Sequence, residues 1–359
     1  MAAAGSTRSV ALALGLVLAV GWAPVARAVS AGASHSCTVL EGGSIKCWGD
    51  NYWGQTGQNE TELRGDTASD MGDNLPVVPL GPFNAISVHS GNQFNCALSA
   101  QAAVKCWGYN AAGQLGLGDN VTRGGPNSVN MGADLPTVYF GANVTVQSIG
   151  LGHSHACAVT TDGKVKCWGE NGDGQLGLGD TLARGNGTAE MGDDLPYVDL
   201  GTGVVAKSVA LGLIHTCAVV DEGDVKCWGS SNGGQLGYED TEHRGTAAGQ
   251  MGDELPIVDL GREQKAVTIA AGYYFTCAVL YTGGIKCWGF GKNGQLGQDY
   301  NVSVGNLPDT MGDNLEPIDL GTGRTAVAVA AGGAHTCAVL DDDTVKCWGE
   351  NEKGLAGAR

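Results

Sequence analysis

Helical periodicity is absent from this chain: nowhere do apolar residues recur at three- and four-residue spacing over the length a helix needs, which excludes α-helical and α/β folds. Positive charge is scarce. Against 37 Asp and Glu stand 20 Lys and Arg, with no basic run, so the chain repels nucleic-acid phosphates and anionic membrane surfaces. No apolar run after residue 28 reaches the length of a membrane span, and no C-terminal anchor pattern is present. The sequence also lacks a Gly-x-Ser-x-Gly elbow and a phosphate-binding loop. No catalytic residue is therefore nominated, no cofactor is expected, and the chain is not read as an enzyme.

Cysteine, by contrast, is plentiful and regular. The 12 cysteines fall into six pairs: Cys37 and Cys47, Cys96 and Cys106, Cys157 and Cys167, Cys217 and Cys227, Cys277 and Cys287, Cys337 and Cys347. Each pair sits on two short runs of alternating β-formers around a turn, the pattern of a β-hairpin. A three-residue loop such as Thr161-Asp162-Gly163 puts its last residue where a type I turn plus bulge needs a left-handed backbone. That register sets the two cysteines opposite one another, at a separation that suits a disulfide. Zinc is the competing reading, because His35, His155, His215 and His335 each precede a cysteine by two positions. Phe94 and Phe275 hold that position in the other copies and no second His or CxxC cluster exists, so no metal is expected.

The N-terminus supports an oxidising destination. Arg8, the apolar run Val10 to Val20 and the small-residue site Ala26-Arg27-Ala28 read as a secretory signal peptide over residues 1–28. A mature domain of residues 29–359, secreted or otherwise extracytoplasmic, at the cell surface or in a periplasm, is expected to keep its cysteines paired.

The hairpins recur with a period of about 60 residues, six times in all. Before each lies a small-residue run ending in glycine, such as Ser208-Val209-Ala210-Leu211-Gly212. After each come a Gly-Gln-Leu-Gly loop, as at Gly174 to Gly177, then a polar stretch, then Met191-Gly192-Asp193-Asp194-Leu195-Pro196 and its relatives. Read as a fourth strand, the Leu-Pro segment completes a four-stranded unit. Six such units describe an all-β fold, a β-propeller of six repeats with the small-residue strands innermost. With each Leu-Pro segment assigned to the hairpin that follows it, the first blade is incomplete. An open solenoid is the alternative, but it needs capping ends.

The elements Gly212, His215, Thr216, Ala218, Gly223, Val225, Trp228 and Gly229, followed by Asn232, Gly234, Gln235, Leu236 and Gly237, resemble the repeat of the regulator of chromosome condensation family. The resemblance covers residues 29 to 359 and implies a propeller of about seven blades that serves as a protein-binding platform. The founding member's guanine nucleotide exchange activity and DNA contact are not expected in an exported acidic chain. Ultraviolet-sensing members carry Trp in the Gly-x-x-His-Thr stretch, which here reads Leu213-Ile214 or Gly333-Ala334, so photoreception is not expected either.

The repeated Trp48, Trp107, Trp168, Trp228, Trp288 and Trp348 are expected to pack blade against blade, and the recurrent histidines to satisfy backbone groups between blades. Carboxylates at Asp73, Asp193, Asp253 and Asp313 match no calcium loop and read as turn caps. What remains is a binding scaffold, monomeric, for an extracellular protein or glycan. Its contact candidates are Tyr52, Trp53, Tyr109, Tyr273, Tyr274 and Tyr281, and the polar blade loops. A secreted enzyme inhibitor, similar to the β-lactamase-inhibiting propellers, is the alternative. In a eukaryotic source Asn59, Asn120, Asn143, Asn186 and Asn301 fit the N-glycosylation pattern.

Overall fold

The computed structural model describes residues 28–126 and 131–351. Of the expected leader only Ala28 lies within them, where it opens the first strand; the rest of that segment is outside the described residues.

Six antiparallel sheets of three strands follow one another along the chain. The inner strands are β1 (Ala28–Ala31), β4 (Ala85–Ser90), β7 (Val146–Leu151), β10 (Ala206–Leu211), β13 (Ala266–Ala271) and β16 (Ala326–Ala331). Middle strands are β2 (His35–Val39), β5 (Phe94–Ser99), β8 (His155–Thr160), β11 (His215–Val220), β14 (Phe275–Leu280) and β17 (His335–Leu340). The outer strands are β3 (Ile45–Gly49), β6 (Val104–Gly108), β9 (Val165–Gly169), β12 (Asp224–Gly229), β15 (Ile285–Gly289) and β18 (Val345–Gly349). Residues from all six inner strands or the turns that follow them line one cavity of about 750 Å³, as blades converging on an axis must.

Middle and outer strands pair so that each cysteine faces its partner, as Cys217 faces Cys227. All six pairs are bonded, with sulfurs 2.06–2.12 Å apart. The left-handed loop position is filled by Gly43, Gly163, Gly223 and Gly283. Ala102 and Asp343 occupy it with φ of 61° and 63°, a conformation that L-residues adopt at a cost.

Three expectations are corrected. The blades have three strands, because the Leu-Pro segment makes one ladder-like contact: Val198 N–H donates to Val165 O at 2.8 Å, and the same bond joins Val78 to Ile45, Val138 to Val104, Val258 to Val225 and Ile318 to Ile285. Proline at the start of the segment offers no N–H, and at its end Asp199 Oδ1 accepts from Gly201 N, turning the chain away from the sheet. These bonds also attach each segment to the hairpin that precedes it. The first blade is accordingly covered on its outer edge, and the sixth is the one whose outer strand carries no such segment among the described residues. The count of sheets is six where the family resemblance implied about seven.

Buried clusters knit neighbouring sheets together. One spans sheets one and two, another two and three, a third three and four, and the largest four to six. None of these four clusters joins sheet six to sheet one.

Candidate functional site: the face of the variable dipeptides

Between adjacent sheets runs a repeated polar relay. The Gly-Gln-Leu-Gly loop of one sheet reaches into the next, where the Gln175 carbonyl accepts from Trp228 Nε1 at 3.0 Å and from Thr216 Oγ1 at 2.9 Å. Because the Thr216 hydroxyl donates to that carbonyl, its oxygen is left to accept from His155 Nε2, 2.9 Å away in the preceding sheet. His215, Thr276, Gln235 and Trp288 repeat the arrangement. In sheet one His35 reaches Asn95, whose amide donates to Gln55 O. His35, His155 and His215 thus each pair with a side chain of the neighbouring sheet, where only backbone partners were expected. Burial holds His155 and His215 neutral, with pKa values pushed down to about 3. Phe94 replaces the histidine where the next sheet offers only Ala156, so the two departures from the repeat compensate each other.

The tryptophans of sheets two to five are fully buried in these seams, as expected for packing residues. Gly177 shows why the loop is glycine: a Cβ there would stand 2.7 Å from Trp228 Nε1.

A second repeated device was not foreseen. In sheets two to five the lysine of the Lys-Cys-Trp-Gly strand is buried, and Lys226 Nζ donates to Leu200 O at 2.7 Å and Gly252 O at 3.0 Å. Lys105, Lys166 and Lys286 make the same two bonds, clasping successive Leu-Pro segments together. Burial lowers the pKa of all four. Asp253 and Asp193 cap the adjoining turns, accepting from Thr202 N and Ala142 N, which holds both carboxyls below their ordinary range. Their observed partners are those of turn caps.

Beside this framework, the dipeptide that joins inner to middle strand differs in every sheet. It reads Ala33-Ser34, Asn92-Gln93, His153-Ser154, Leu213-Ile214, Tyr273-Tyr274 and Gly333-Ala334. All six dipeptides surround the mouth of the axial cavity, and each contributes at least one residue to its lining. The ring has two unlike arcs. On one, Asn92 Nδ2 donates to His153 Nε2 at 2.8 Å, leaving His153 Nδ1 to donate to Ser154 Oγ at 2.8 Å. On the other, Leu213, Tyr273, Tyr274 and Phe290 present apolar surface, the two tyrosines 41% and 38% exposed.

Five of the six aromatic candidates lie at this end of the blades. Tyr109 N–H donates to Gln93 O, which sets Tyr109 against the second dipeptide, and the Tyr109 ring lies 4.5 Å from Trp53, itself 4.9 Å from Tyr52. Tyr281 is different. It occupies the hairpin turn at the far end of β14 and cannot share a surface with Tyr273 and Tyr274. Of the polar blade loops, the Arg-Gly turns are engaged by the framework, as in the paired bonds between Arg184 and Gly169, and residues 127–130 lie outside the described ones. All five glycosylation candidates are exposed, and none belongs to the ring of dipeptides.

Two forms of the Regulator of chromosome condensation (RCC1) repeat match, one over residues 26–55, 146–175, 206–235, 266–295 and 326–355, the other over residues 104–159, 222–279 and 283–339. The chain belongs to the RCC1 repeat family. Among curated relatives it is 31% identical to the ultraviolet-B receptor UVR8 of Arabidopsis thaliana over 92% of this chain and 66% of the receptor. It is 29% identical to the human E3 ubiquitin-protein ligase HERC2 over 76% of this chain but 5% of the ligase. The chain therefore spans less than two thirds of the length of these relatives. Among solved structures, human WBSCR16 superposes with a TM-score of 0.68 at 19% identity, covering 88% of this chain and 71% of that one. Yeast RCC1 (Prp20), solved bound to Kap60, gives 0.68 at 20% identity, covering 92% and 71%. At that identity the likeness concerns the fold.

Proposed function

We propose that this RCC1-repeat propeller is a non-catalytic binding scaffold that works outside the cytoplasm and engages a protein or glycan through the face of the variable dipeptides. One observation carries the proposal: side chains differ from blade to blade around one cavity mouth, while the relay and the lysine clasp behind them repeat. A scaffold selected only to fold has no need of unlike residues there, and a rigid frame presenting unlike side chains suits recognition. The apolar arc of Tyr273, Tyr274 and Phe290 has the aromatic make-up of binding hot spots, and the Asn92 and His153 arc supplies polar partners. Six bonded cysteine pairs support an oxidising compartment and, with the N-terminal signal pattern, export.

Capture from the native extracellular fraction with the wild-type chain, a Tyr273→Ala/Tyr274→Ala variant and a Tyr281→Ala variant tests this. Loss of the captured component in the first variant alone is expected; equal capture by all three chains contradicts the assignment of the face. In a eukaryotic host the exported chain is expected to lose mass on N-glycosidase treatment.

A second reading, inhibition of a secreted enzyme, draws support from the Tyr52, Trp53 and Tyr109 cluster, a compact aromatic anchor at the same end. Nucleotide exchange has less support, because the likeness to yeast RCC1 lies at 20% identity.

A further inference from the structure

A methionine closes each seam between sheets two and five. Met251 packs against the cluster that holds Trp228, and two glycines make room for it: a Cβ on Gly177, in the loop that reaches over from sheet three, would stand 3.0 Å from Met251 Cε, and one on Gly245, in the Arg-Gly turn, 3.4 Å from its Sδ. Met191 repeats this between Gly116 and Gly185, at 3.1 and 3.5 Å, beside Trp168. Met311 repeats it between Gly237 and Gly305, at 3.1 and 3.4 Å, in the cluster of Trp288. The thioether is thus pressed against backbone that has no side chain to move aside. Accessibility separates the three. Met191 and Met251 are partly exposed, whereas Met311 is 2% exposed. One loop residue accounts for the difference: Glu239 stands where the loops of sheets two and three have Gly118 and Gly179, holds a left-handed φ of 60°, and accepts from Thr310 N and Met311 N at 2.8 Å each. Its side chain ties the turn that bears Met311 to the preceding sheet.

From these observations we infer that Met191 and Met251 are oxidation sites through which a peroxide loosens the seams between sheets two, three and four, and that Glu239 shields Met311 from the same reaction. The sulfur attacks one peroxide oxygen, the O–O bond breaks, the thioether is oxidised by two electrons to the sulfoxide, and hydrogen peroxide is reduced to water. The product is a polar group in an apolar seam. On the side of Gly177 and Gly245 the new oxygen has no space, so it must point to water and displace the loop that covers it. That loop carries the Gln175 carbonyl, the shared acceptor of Trp228 and Thr216. Oxidation of Met251 therefore opens the polar relay between sheets three and four, and oxidation of Met191 frees the Gln114 carbonyl from Trp168 in the same way. Reduction of the sulfoxide restores the seam.

The test treats the full, disulfide-bonded chain with hydrogen peroxide and follows each methionine by peptide mapping, with amide exchange on the product. Sulfoxide is expected at Met191 and Met251 roughly tenfold faster than at Met311, with faster exchange at residues 113–116 and 174–177. Glu239→Gly installs the residue of the neighbouring loops at a backbone conformation that glycine prefers, and is expected to raise the reactivity of Met311 to that of Met251. Met251→Leu conserves volume, so it is expected to keep the thermal transition and to abolish the effect of peroxide on residues 174–177. Equal rates at Met311 and Met251 in the wild-type chain overturn the inference. So does sulfoxide at Met251 with unchanged exchange at residues 174–177, or an E239G chain in which Met311 stays as resistant as before.

Discussion

Strands β9 and β18 are the same five residues, Val-Lys-Cys-Trp-Gly, each disulfide-bonded to its middle strand, and they experience opposite surroundings. Every residue of β9 is buried; in β18 Val345 and Lys346 are exposed and the rest half-buried. Their middle strands differ likewise, β8 being buried throughout and β17 only at alternate residues, on the side facing sheet five. Sequence determines the hairpin and its register, and the neighbours determine whether it is a core element. Stability in such an array is a sum of unit and interface terms, so identical residues contribute unequally according to position.

The largest test of that contrast is the tryptophan. Trp168→Ala is expected to cost about 3–5 kcal/mol, since it empties a sealed seam and strands the Gln114 carbonyl, whereas Trp348→Ala costs about 1–2 kcal/mol. Denaturation curves for the two variants measure the difference. Next comes the lysine pair. Lys166→Met removes a donor from two buried carbonyls and is expected to destabilise by about 1–3 kcal/mol, against about 0.5 kcal/mol or less for Lys346→Met.

Acid sensitivity sharpens the same comparison. His155 and His215 titrate near 3 in the folded chain and near 6.5 when unfolded, so between those values the unfolded state binds more protons. Their share of stability is complete above about pH 6.5 and is lost as the pH falls towards 3. Replacing His215 with phenylalanine, the residue native to Phe275, is expected to flatten part of that loss, while Thr276 keeps its bond to Gln235 O. Denaturation midpoints from pH 7 to 4 for wild type and H215F read the effect.

The smallest effect is at the turns. Ala102→Gly is expected to stabilise sheet two by about 0.5–1 kcal/mol, because glycine tolerates the left-handed position that Ala102 is forced to hold, and thermal denaturation measures it.

These contrasts also mark what could be read from sequence. The hairpins and cysteine partners were legible because a three-residue loop fixes the register over ten positions. The relay was not, since Trp228 and Thr216 meet a carbonyl 53 and 41 residues away, and a carbonyl leaves no trace in residue type. Lys226 carried a signal in its recurrence, but a lone cation in a β-strand reads as solvent-facing until its two carbonyls are seen. The Leu-Pro segment looked like a strand because its apolar residues alternate, whereas its proline and its Asx turn limit it to one contact. Tyr273 and Tyr274 were legible as candidates, and only the blade topology separates them from Tyr281.

Residue-resolved amide exchange on the intact chain tests the central comparison most directly. The neighbour-dependent account predicts that residues 345–349 exchange orders of magnitude faster than residues 165–169, with residues 335–340 intermediate. Equal protection of the two identical strands would contradict it, by showing that the hairpin and its disulfide suffice without their neighbours.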